Sequence, residues 1–576
     1  MKTPHITRSR GDRLSKASAR PSTNLAAIAR WAPFSLGAAA ALVTSLLTST
    51  AGAAPEAPVR PPNVVVILAD DLGWMDVNAF ATHATGVPAD KQFYETPNID
   101  RLAADGVAFS RFYSAPLCTP SRATLLTGRN SATFGLNNAF AMSQIMTFAT
   151  TKRNPLPGYL PLDGLPGQPQ IFPLNPATYY TALPNNQPGE NGLSVQALPA
   201  LLPAYHSAFL GKWHLGADNR PGHRPQDFGF EAIAYQDEGW SSYSRATRAK
   251  WHLPGPETKA GYLTDALTEM SIDWMRNHVR QSPELPFLVY LAQFAVHTPL
   301  EAKPADKAYF EAKSTRGWNG HSNPTYAAMV RSLDESVGAI RHALDEMGVA
   351  DNTVIIFLSD NGGYAGKDKD LITSNAPLRG YKGQTFEGGI RVPMVAAWPK
   401  HWAPGRWIST PVSLVQVAPT LVDLAGGSAT DLSWADGPSL LPLLTGRPEA
   451  YHARPIFVHE PYYRQAMLEK GVTMSPSTVM IDGDYKLIAY HDGVNRLYRI
   501  SDDIGEQRDL SGEEPERVAK MLGQLAVWRF SNIPPRYDTS VNPHYDPSLP
   551  GALPALGHPP FVPPVKAKNP NSQSAQ

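Results

Sequence analysis

The sequence NVVVILADD, residues 63–71, is the clearest indication of the fold. Val64 to Ala69 form an uninterrupted apolar run, which is typical of a central parallel strand buried between two layers of helices. Three further runs have the same character, and they span residues 287–291, 354–358 and 392–398. Pro393 weakens the last of these, because proline cannot donate a hydrogen bond to a neighbouring strand. Together the runs predict a largely parallel sheet.

Helical patterns separate these runs. The clearest spans residues 324–347, where apolar side chains recur on one stripe and Gly348 follows as a terminator. This alternation predicts a doubly wound α/β fold, in which reactive side chains gather beyond the carboxyl ends of the strands. Further on, residues 478–490 are typical of a hairpin around Asp482-Gly483-Asp484, and a helix is predicted over residues 514–530. We therefore expect a smaller C-terminal α+β subdomain.

The first 53 residues are predicted to be a secretory signal peptide. A basic N-terminal region precedes an apolar stretch at residues 34–47 and the small-residue sequence Ala51-Gly52-Ala53. The apolar stretch is shorter than the roughly 20 residues that a membrane span requires, so no stable membrane anchor is expected. The pattern predicts a bacterial protein that is periplasmic or secreted.

The rest of the chain divides into three parts. A main α/β domain is expected over residues 54–450, interrupted at 139–189 by an insertion rich in Pro, Asn, Thr and Tyr. The C-terminal α+β subdomain is expected over residues 451–533. Repeated proline pairs beyond it predict an extended tail at residues 534–576.

Charge and cysteine content exclude several classes of protein. Lysine plus arginine and aspartate plus glutamate both number 51, so the chain has no net charge to attract nucleic acid, and none is expected as a partner. The one cysteine, Cys118, cannot form an internal disulfide, a cysteine-rich zinc site or an iron–sulfur cluster. A lone thiol in an exported protein is unusual, because it is open to oxidation.

Acidic and amide side chains follow two of the predicted strands. Asp70 and Asp71 end the first, and Asp360 and Asn361 follow the run at residues 354–358. Either pair alone is common in solvated loops and Asx turns. Together they would place four oxygen ligands at one edge of the sheet, a set that suits Ca²⁺ or Mg²⁺ rather than zinc.

Basic side chains lie on loops near the same predicted strand ends. Cys118 precedes a predicted helix and Arg122 follows it, and both a helix N terminus and a guanidinium favour an anion. Each of the other basic residues is a weak signal alone. The set consists of Arg122, Lys212, His214, His297 and Lys382. An anionic substrate in a dry pocket requires such a set, because the net charge of the chain does not supply one.

At these residues the sequence resembles the sulfatase family, the formylglycine-dependent branch of the alkaline phosphatase superfamily. CTPSRATLLTGR, residues 118–129, matches the most specific signature of that family, and GKWHLG, residues 211–216, matches its second signature. One departure is that Ala204-Tyr205 replaces the usual Gly-Tyr. The similarity extends from Asn63 to about Asp509 and breaks at the 139–189 insertion and at the tail.

The resemblance implies a post-translational change at Cys118. A formylglycine-generating maturation enzyme would oxidise it to Cα-formylglycine, whose hydrated aldehyde supplies a geminal diol as the nucleophile. One divalent cation, with Ca²⁺ preferred to Mg²⁺, would be held by an oxygen of residue 118 and by the side chains of Asp70, Asp71, Asp360 and Asn361. Loss of a proton from the second hydroxyl would then expel sulfate and restore the aldehyde.

The resemblance also implies roles for the basic residues. Arg122 and His214 would orient the diol. Lys212 and Lys382 would bind the sulfate oxygens. His297 would lie near the bridging oxygen, where a histidine with a pKa near neutral could protonate the departing alcohol.

The implied activity is hydrolysis of a sulfate monoester, aryl or carbohydrate, to an alcohol and sulfate. Two alternatives stay open at this point. The same site could hydrolyse phosphonate or phosphate esters, which are also tetrahedral anions, and a chain with an unconverted Cys118 could bind sulfated glycans without catalysis. Substrate specificity is expected to lie in residues 139–189, in residues 237–251 and around Trp318 and Tyr462.

Overall fold

A computed structural model describes residues 60–137, 195–216, 222–236, 261–366, 371–427, 429–462 and 473–533, with the shorter pieces 174–175, 243, 464–465, 540–541 and 548. The predicted signal peptide at 1–53 lies outside these described residues. So do nearly all of the predicted insertion at 139–189 and of the tail at 534–576. The domain boundaries taken from the sequence therefore stay predictions.

Strands and helices alternate along most of the described chain. In chain order the strands are β1 (Asn63–Ala69), β2 (Val107–Phe109), β3 (Phe112–Tyr113), β4 (Leu174–Asn175), β5 (His206–Lys212), β6 (Glu231–Gln236), β7 (Phe287–Ala292), β8 (Thr353–Ser359), β9 (Met394–Ala397), β10 (Arg406–Ile408), β11 (Val412–Ser413), β12 (Ile456–Glu460), β13 (Arg464–Gln465), β14 (Thr473–Met474), β15 (Ser477–Asp482), β16 (Tyr485–Tyr490), β17 (Asn495–Arg499) and β18 (Ser540–Val541). The α-helices are α1 (Asn78–Thr85), α2 (Pro97–Asp105), α3 (Cys118–Thr127), α4 (Leu198–Leu201), α5 (Leu263–Gln281), α6 (Pro304–Ala312), α7 (Pro324–Glu346), α8 (Glu387–Ile390), α9 (Val417–Leu424), α10 (Leu441–Leu444) and α11 (Pro515–Asn532).

The main sheet has eight strands in the order β10-β2-β9-β8-β1-β7-β5-β6. Strand β1 lies between β8 and β7, and both neighbours run parallel to it. Strands β7, β5 and β6 continue in the same direction. Parallel strands need crossover connections, and two of these contain the helices α5, between β6 and β7, and α7, between β7 and β8.

The main sheet is covered on both faces, as the apolar run of β1 predicts. Val65 and Ile67 belong to one apolar core together with side chains of α2, α5 and α7. Val64 and Val66 belong to a second core together with side chains of α3 and α9. Because successive side chains of a strand point to opposite faces, a strand buried on both sides is apolar throughout. The predicted doubly wound α/β fold is confirmed.

The predicted strand at residues 392–398 differs from its expectation in length and direction. It is shortened to β9, which begins after Pro393, and it pairs antiparallel with both β8 and β2. The backbone N–H of Val392 donates outside the main sheet, to the carbonyl of Phe112 at 3.0 Å. The chain thus returns from β8 without a helical crossover to the same sheet edge, and an antiparallel neighbour results.

A separate antiparallel sheet forms the C-terminal part, with the strand order β12-β15-β16-β17. The predicted hairpin is the pair β15 and β16, which turns at Gly483. Met521 and Leu525 of α11 pack on one face of this sheet against Leu487 and Leu497. The C-terminal α+β subdomain that the sequence predicts is confirmed in kind. Among the short pieces, β18 pairs with β4, so residues 540–541 of the tail contact residues 174–175 of the insertion.

Gly211 in β5 is required by a close approach of the backbone. Its φ is +100°, and a β-carbon at this position would lie 1.8 Å from the carbonyl oxygen of Ala292 in β7. We expect Gly211→Ala to lower the free energy of unfolding by about 3 kcal/mol or more, since it combines overpacking with left-handed strain.

Chemical denaturation measures this loss, and Gly86→Ala is the matched control. Gly86 also has a positive φ, +71°, but a β-carbon there would meet no atom within 4 Å. The control should lose only about 1 kcal/mol, the cost of the left-handed conformation. Equal losses in the two variants would contradict the packing explanation.

No helix in the described part of the chain is both long and apolar enough to span a membrane.

Candidate active site

Four adjacent parallel strands end at the same level and carry the candidate site. Leu68 of β1 pairs with Ala292 of β7, which also pairs with Gly211 of β5, while Ala69 pairs with Ser359 of β8. The residues that follow are the predicted ones: Asp70 after β1, Asp360 after β8, His297 beyond β7 and Lys212 at the end of β5. The topology therefore gathers the predicted side chains at one edge of the sheet.

The acidic group is buried and internally connected. Asp70, Asp71, Asp360 and Asn361 are each 1% exposed or less. The backbone N–H of Asp71 donates to Oδ1 of Asp360 at 3.2 Å, and Nδ2 of Asn361 donates to Oδ1 of Asp71 at 2.8 Å. Asp71 has a φ of +63°, an uncommon conformation outside glycine that turns the chain sharply after β1.

Cys118 lies directly beside these carboxylates. It is the first residue of α3 and is buried, whereas the sequence placed it in a loop just before the helix. Its Sγ and one carboxylate oxygen each of Asp70 and Asp360 all lie within 4.8 Å of one another. Burial raises the pKa of the Cys118 thiol, and the charges of Lys212 and Lys382 offset this only in part. The unmodified side chain is therefore a protonated thiol rather than a thiolate.

Arg122 and Lys212 occupy the Asp70 side of the site. Nε and Nη2 of Arg122 donate to Oδ2 of Asp360 at 3.0 and 2.8 Å, and its Nη1 donates to the carbonyl of Lys212 at 2.8 Å. Nζ of Lys212 donates to both carboxylate oxygens of Asp70, at 2.9 and 2.6 Å. Arg122 is thus fixed against the strand ends, as expected of a residue that orients its neighbours.

Lys382 and His297 occupy the Asp71 side. Nζ of Lys382 lies 2.7 Å from Oδ1 of Asp71 and 3.0 Å from Nε2 of His297. An ammonium group has no acceptor, so Lys382 donates and Nε2 of His297 accepts. Nδ1 of His297 then carries the hydrogen and donates to the carbonyl of Thr298 at 2.8 Å.

The pKa of His297 differs from the sequence expectation of a near-neutral value. Burial lowers the pKa of this imidazole well below its usual value, and the charge of Lys382 lowers it further, although Asp71 opposes both effects. For Lys382 burial acts to lower the pKa, but the carboxylate of Asp71 prevails and raises it. The proton between Nζ of Lys382 and Nε2 of His297 therefore resides on Lys382.

His214 reaches the site through a residue that the sequence analysis missed. Its Nδ1 lies 3.1 Å from Oγ1 of Thr119, the residue after Cys118. Burial lowers the pKa of His214 well below its usual value, and the nearby Lys212 adds to this, so the ring is neutral. The sequence does contain a signal for this contact, because the hydroxyl residue Thr119 directly follows Cys118 in the motif.

The oxygen-rich side of the site fits a hard divalent cation. Three buried carboxylates converge there, and Oδ1 of Asn361 is buried with no hydrogen-bond partner. A buried amide oxygen without a donor is costly unless it has another ligand, and a cation is such a ligand. The donor set is oxygen, which suits Ca²⁺ or Mg²⁺. The residues present therefore fit the predicted cation.

Comparison with protein-family models identifies the family to which the chain belongs. A family model described as Sulfatase matches residues 62–160 and 166–428, which is more than half of the 576 residues. The chain belongs to the sulfatase family. A second model, described as the C-terminal region of N-sulphoglucosamine sulphohydrolase, matches residues 381–527. The resemblance predicted from the two sequence signatures is confirmed, and the chain is a sulfatase enzyme.

Relatives and solved structures agree with this membership. Human N-acetylgalactosamine-6-sulfatase is 34% identical over 426 residues, which cover 70% of this chain and 69% of the relative. A sulfatase of Formosa agariphila is 28% identical over 543 residues, covering 83% and 90%. A crystal structure of Ps i-CgsB in complex with k-i-k-neocarrahexaose has 28% identity and a TM-score of 0.62, covering 82% of this chain and 94% of that one.

The structure of this sulfatase brings all the predicted site residues together. The predicted side chains are Asp70, Asp71, Cys118, Arg122, Lys212, His214, His297, Asp360, Asn361 and Lys382. Of the predicted specificity segments, residues 237–251 lie outside the described residues except for Tyr243. The hydroxyl of Tyr243 is buried and lies 2.7 and 2.8 Å from the carbonyl oxygens of Phe294 and His297, between which its single hydrogen is shared, so it supports the His297 loop.

Proposed function

We propose that this sulfatase hydrolyses sulfate monoesters at the Cys118 site, with Cys118 converted to formylglycine and one divalent cation bound beside it. The observation that carries the proposal is the position of Cys118, which is buried at the start of α3 within 4.8 Å of oxygens of Asp70 and Asp360. Lys212 and Lys382 approach the same carboxylate cluster. The proposed nucleophile, cation ligands and anion-binding lysines thus lie together in one buried part of the protein.

The protonation state of the Cys118 thiol supports the proposal that this residue is converted. Because burial raises the pKa of this thiol, the unmodified residue would be a weak nucleophile at neutral pH. Formylglycine would instead supply a hydrated aldehyde, with one hydroxyl to attack sulfur and a second to release sulfate. The proposal therefore includes a maturation enzyme as a partner of the chain.

The cation would be held by Asp70, Asp71, Asp360 and Asn361 together with residue 118. When bound, it would lower the pKa of a hydroxyl at position 118 and neutralise charge on the sulfate group. Arg122 holds Asp360 through two hydrogen bonds and so fixes one side of this ligand set. We propose Ca²⁺ before Mg²⁺, since several carboxylates and an amide form a set that a larger cation accepts.

Binding of the sulfate oxygens is assigned to Lys212 and Lys382. Both are buried, and each pairs with a carboxylate that is also a proposed ligand of the divalent cation. Cations held in a site that excludes water stabilise the negative charge that spreads over the sulfate oxygens during transfer. Net charge plays no part in this, since the chain carries none.

Protonation of the leaving alcohol is assigned to His297 together with Lys382. Lys382 carries the proton and donates it in a hydrogen bond to Nε2 of His297, so a proton is held at this corner of the site. We expect His297→Ala to slow hydrolysis of a carbohydrate sulfate by about 10²–10⁴-fold, because an alkoxide leaves poorly without a proton. The same variant should hydrolyse 4-nitrophenyl sulfate at a rate much closer to that of the protein that keeps His297.

Paired rate measurements on the two sulfates test the assignment. Lys212→Ala is the control, because loss of a sulfate-binding group should slow both substrates alike. Equal slowing of both substrates by His297→Ala would show that His297 does not act on the leaving group.

A carbohydrate sulfate is the proposed natural substrate. The relative named N-acetylgalactosamine-6-sulfatase and the structure with bound neocarrahexaose both concern carbohydrates. A screen of purified protein on sulfated mono- and polysaccharides, beside aryl sulfate and aryl phosphonate esters, tests the substrate class. We expect sulfate esters to be cleaved faster than the matched phosphonates, and a clear preference for phosphonates would reverse the proposal.

The proposed place of action is the periplasm or the exterior of a bacterial cell. The basis is the signal sequence predicted at residues 1–53. Sequencing of the mature N terminus tests it, and a chain that begins close after Ala53 is expected. The proposed domains remain a catalytic domain at 54–450 and a C-terminal subdomain at 451–533.

A further inference from the structure

A fully buried group of three ionisable side chains connects the catalytic α/β region with the C-terminal sheet. Lys486 of β16, Glu387 of α8 and Glu506 are each 0% exposed. Nζ of Lys486 lies 2.9 Å from Oε1 of Glu387 and 2.8 Å from Oε1 of Glu506. We refer to Lys486, Glu387 and Glu506 as the buried triad.

Stability alone is a weak reason for such a group. Removing charges from water is expensive, and well-packed apolar residues often stabilise a fold as well as a buried ion pair does. The structure nevertheless adds further polar contacts to Glu387: the Tyr113 hydroxyl donates to Oε2 at 3.1 Å, and its own backbone N–H donates to Glu506 at 2.7 Å. Glu387 is thus fixed in position and orientation, which is what a buried polar network provides.

The buried triad holds one end of the loop that carries Lys382. This loop, residues 379–387, ends at Glu387 itself. Its other end is held by the same C-terminal unit, because Nη1 of Arg379 donates to the Tyr498 hydroxyl and to the carbonyl of Glu506, each at 3.3 Å. The guanidinium of Arg379 also lies over the ring of Phe386, 3.9 Å from its centroid, which joins the two ends of the loop.

The middle of the loop contacts the site directly. The backbone N–H of Lys382 donates to the carbonyl of Gly363, and that of Gly383 donates to the carbonyl of Pro116, at 3.1 and 2.7 Å. Gly363 lies two residues after Asn361, and Pro116 lies two residues before Cys118. A shift of the loop would therefore move Lys382 relative to both the cation ligands and the nucleophile.

We infer that Lys486 is a positioning residue for sulfate ester hydrolysis, and that the C-terminal sheet acts through it to hold Lys382 against Asp71. The inference rests on the proposed function, because it assigns Lys382 to sulfate binding. It gives the C-terminal sheet a part in turnover: β16 supplies Lys486, which pairs with Glu387 at 2.9 Å, closer than Arg391 at 3.4 Å, and Glu387 fixes the loop. Lys486 itself does not touch the substrate.

A double-mutant cycle tests the inference. The variants are Lys486→Met, Lys382→Met and the double variant, and the reading is kcat on 4-nitrophenyl sulfate in protein whose folding and residue 118 modification have been verified. We expect Lys486→Met to lower kcat at least tenfold in the protein that carries no other substitution, and to change KM less. In the Lys382→Met background the same substitution should lower kcat less than twofold, since the residue it positions is already gone.

Controls separate positioning from general damage. Lys520→Met removes an exposed lysine of α11 and should leave kcat unchanged, while Lys486→Arg should restore part of the lost rate. If Lys486→Met does not fold, Glu506→Gln replaces it in the cycle, because it removes the ionisable carboxyl group that pairs with Lys486 and keeps the shape. Equal loss of kcat in both backgrounds, or no loss in either, would overturn the inference. A protein without any of these substitutions, with residue 118 converted to formylglycine but without sulfatase activity, would refute the proposed function instead.

Discussion

Replacement of Cys118 by alanine is expected to abolish sulfate ester hydrolysis and to leave the fold intact. Removal of the catalytic nucleophile lowers kcat by at least about 10⁴-fold in enzymes that depend on one. The folded state should lose only about 1 kcal/mol, because the substitution removes one small buried group from residue 118 and none of the contacts that Arg122 and Lys212 make with Asp360 and Asp70. Steady-state rates on an aryl sulfate and thermal unfolding measure the two quantities.

Thr124→Ser is the matched control for this variant. It changes a residue on the same helix but keeps the hydroxyl, which accepts a hydrogen bond from the backbone of Ser131 at 3.2 Å. The control should retain nearly full activity. Substantial turnover by Cys118→Ala would show that another group attacks sulfur.

Asp360→Asn is expected to remove both activity and cation binding. Asp360 contributes a carboxylate to the proposed cation site, accepts two hydrogen bonds from Arg122 and accepts the backbone N–H of Asp71. Its neutralisation should lower kcat by about 10³-fold, since a bound cation contributes several kcal/mol to stabilising charge in the transition state. Cation titrations followed by thermal unfolding report the binding directly.

The protein without the Asp360→Asn substitution should be stabilised by the cation in those titrations. A cation at about 100 times its Kd would add about 2.7 kcal/mol to the free energy of unfolding. Chelation should inactivate the protein without unfolding it, because Arg122, Lys212 and Lys382 can pair with the carboxylates. Asp436→Asn, a change in a carboxylate that accepts the backbone N–H of Asn130 away from the site, should keep both properties. An Asp360→Asn protein that keeps the cation-dependent stabilisation would place the cation elsewhere.

The fold could be predicted largely because the central strands are apolar on both faces. The run at Val64–Ala69 admits one placement, between two helix layers, and the structure has it there. The direction of β9 could not be predicted in the same way. An apolar strand has the same composition in either direction, and its orientation depends on whether the preceding connection crosses the sheet.

The members of the site could be predicted because strand ends meet at one edge, but their internal contacts could not. The pairing of Lys382 with both Asp71 and His297 depends on a loop more than 80 residues away in sequence from His297. The pKa of His297 follows from that pairing and from burial, which motif spacing does not report. The buried triad escaped the sequence analysis for the same reason, since Glu387, Lys486 and Glu506 lie on separate elements.

Mass spectrometry of the peptide that contains residue 118 shows directly whether Cys118 is converted to formylglycine in the active protein. The protein should be produced in cells that contain a formylglycine-generating enzyme, and its sulfatase activity should be measured on the same preparation. We expect a peptide in which one oxygen has replaced the sulfur and two hydrogens of Cys118, in an amount proportional to the activity. Full activity in a preparation that contains only unmodified cysteine would contradict it.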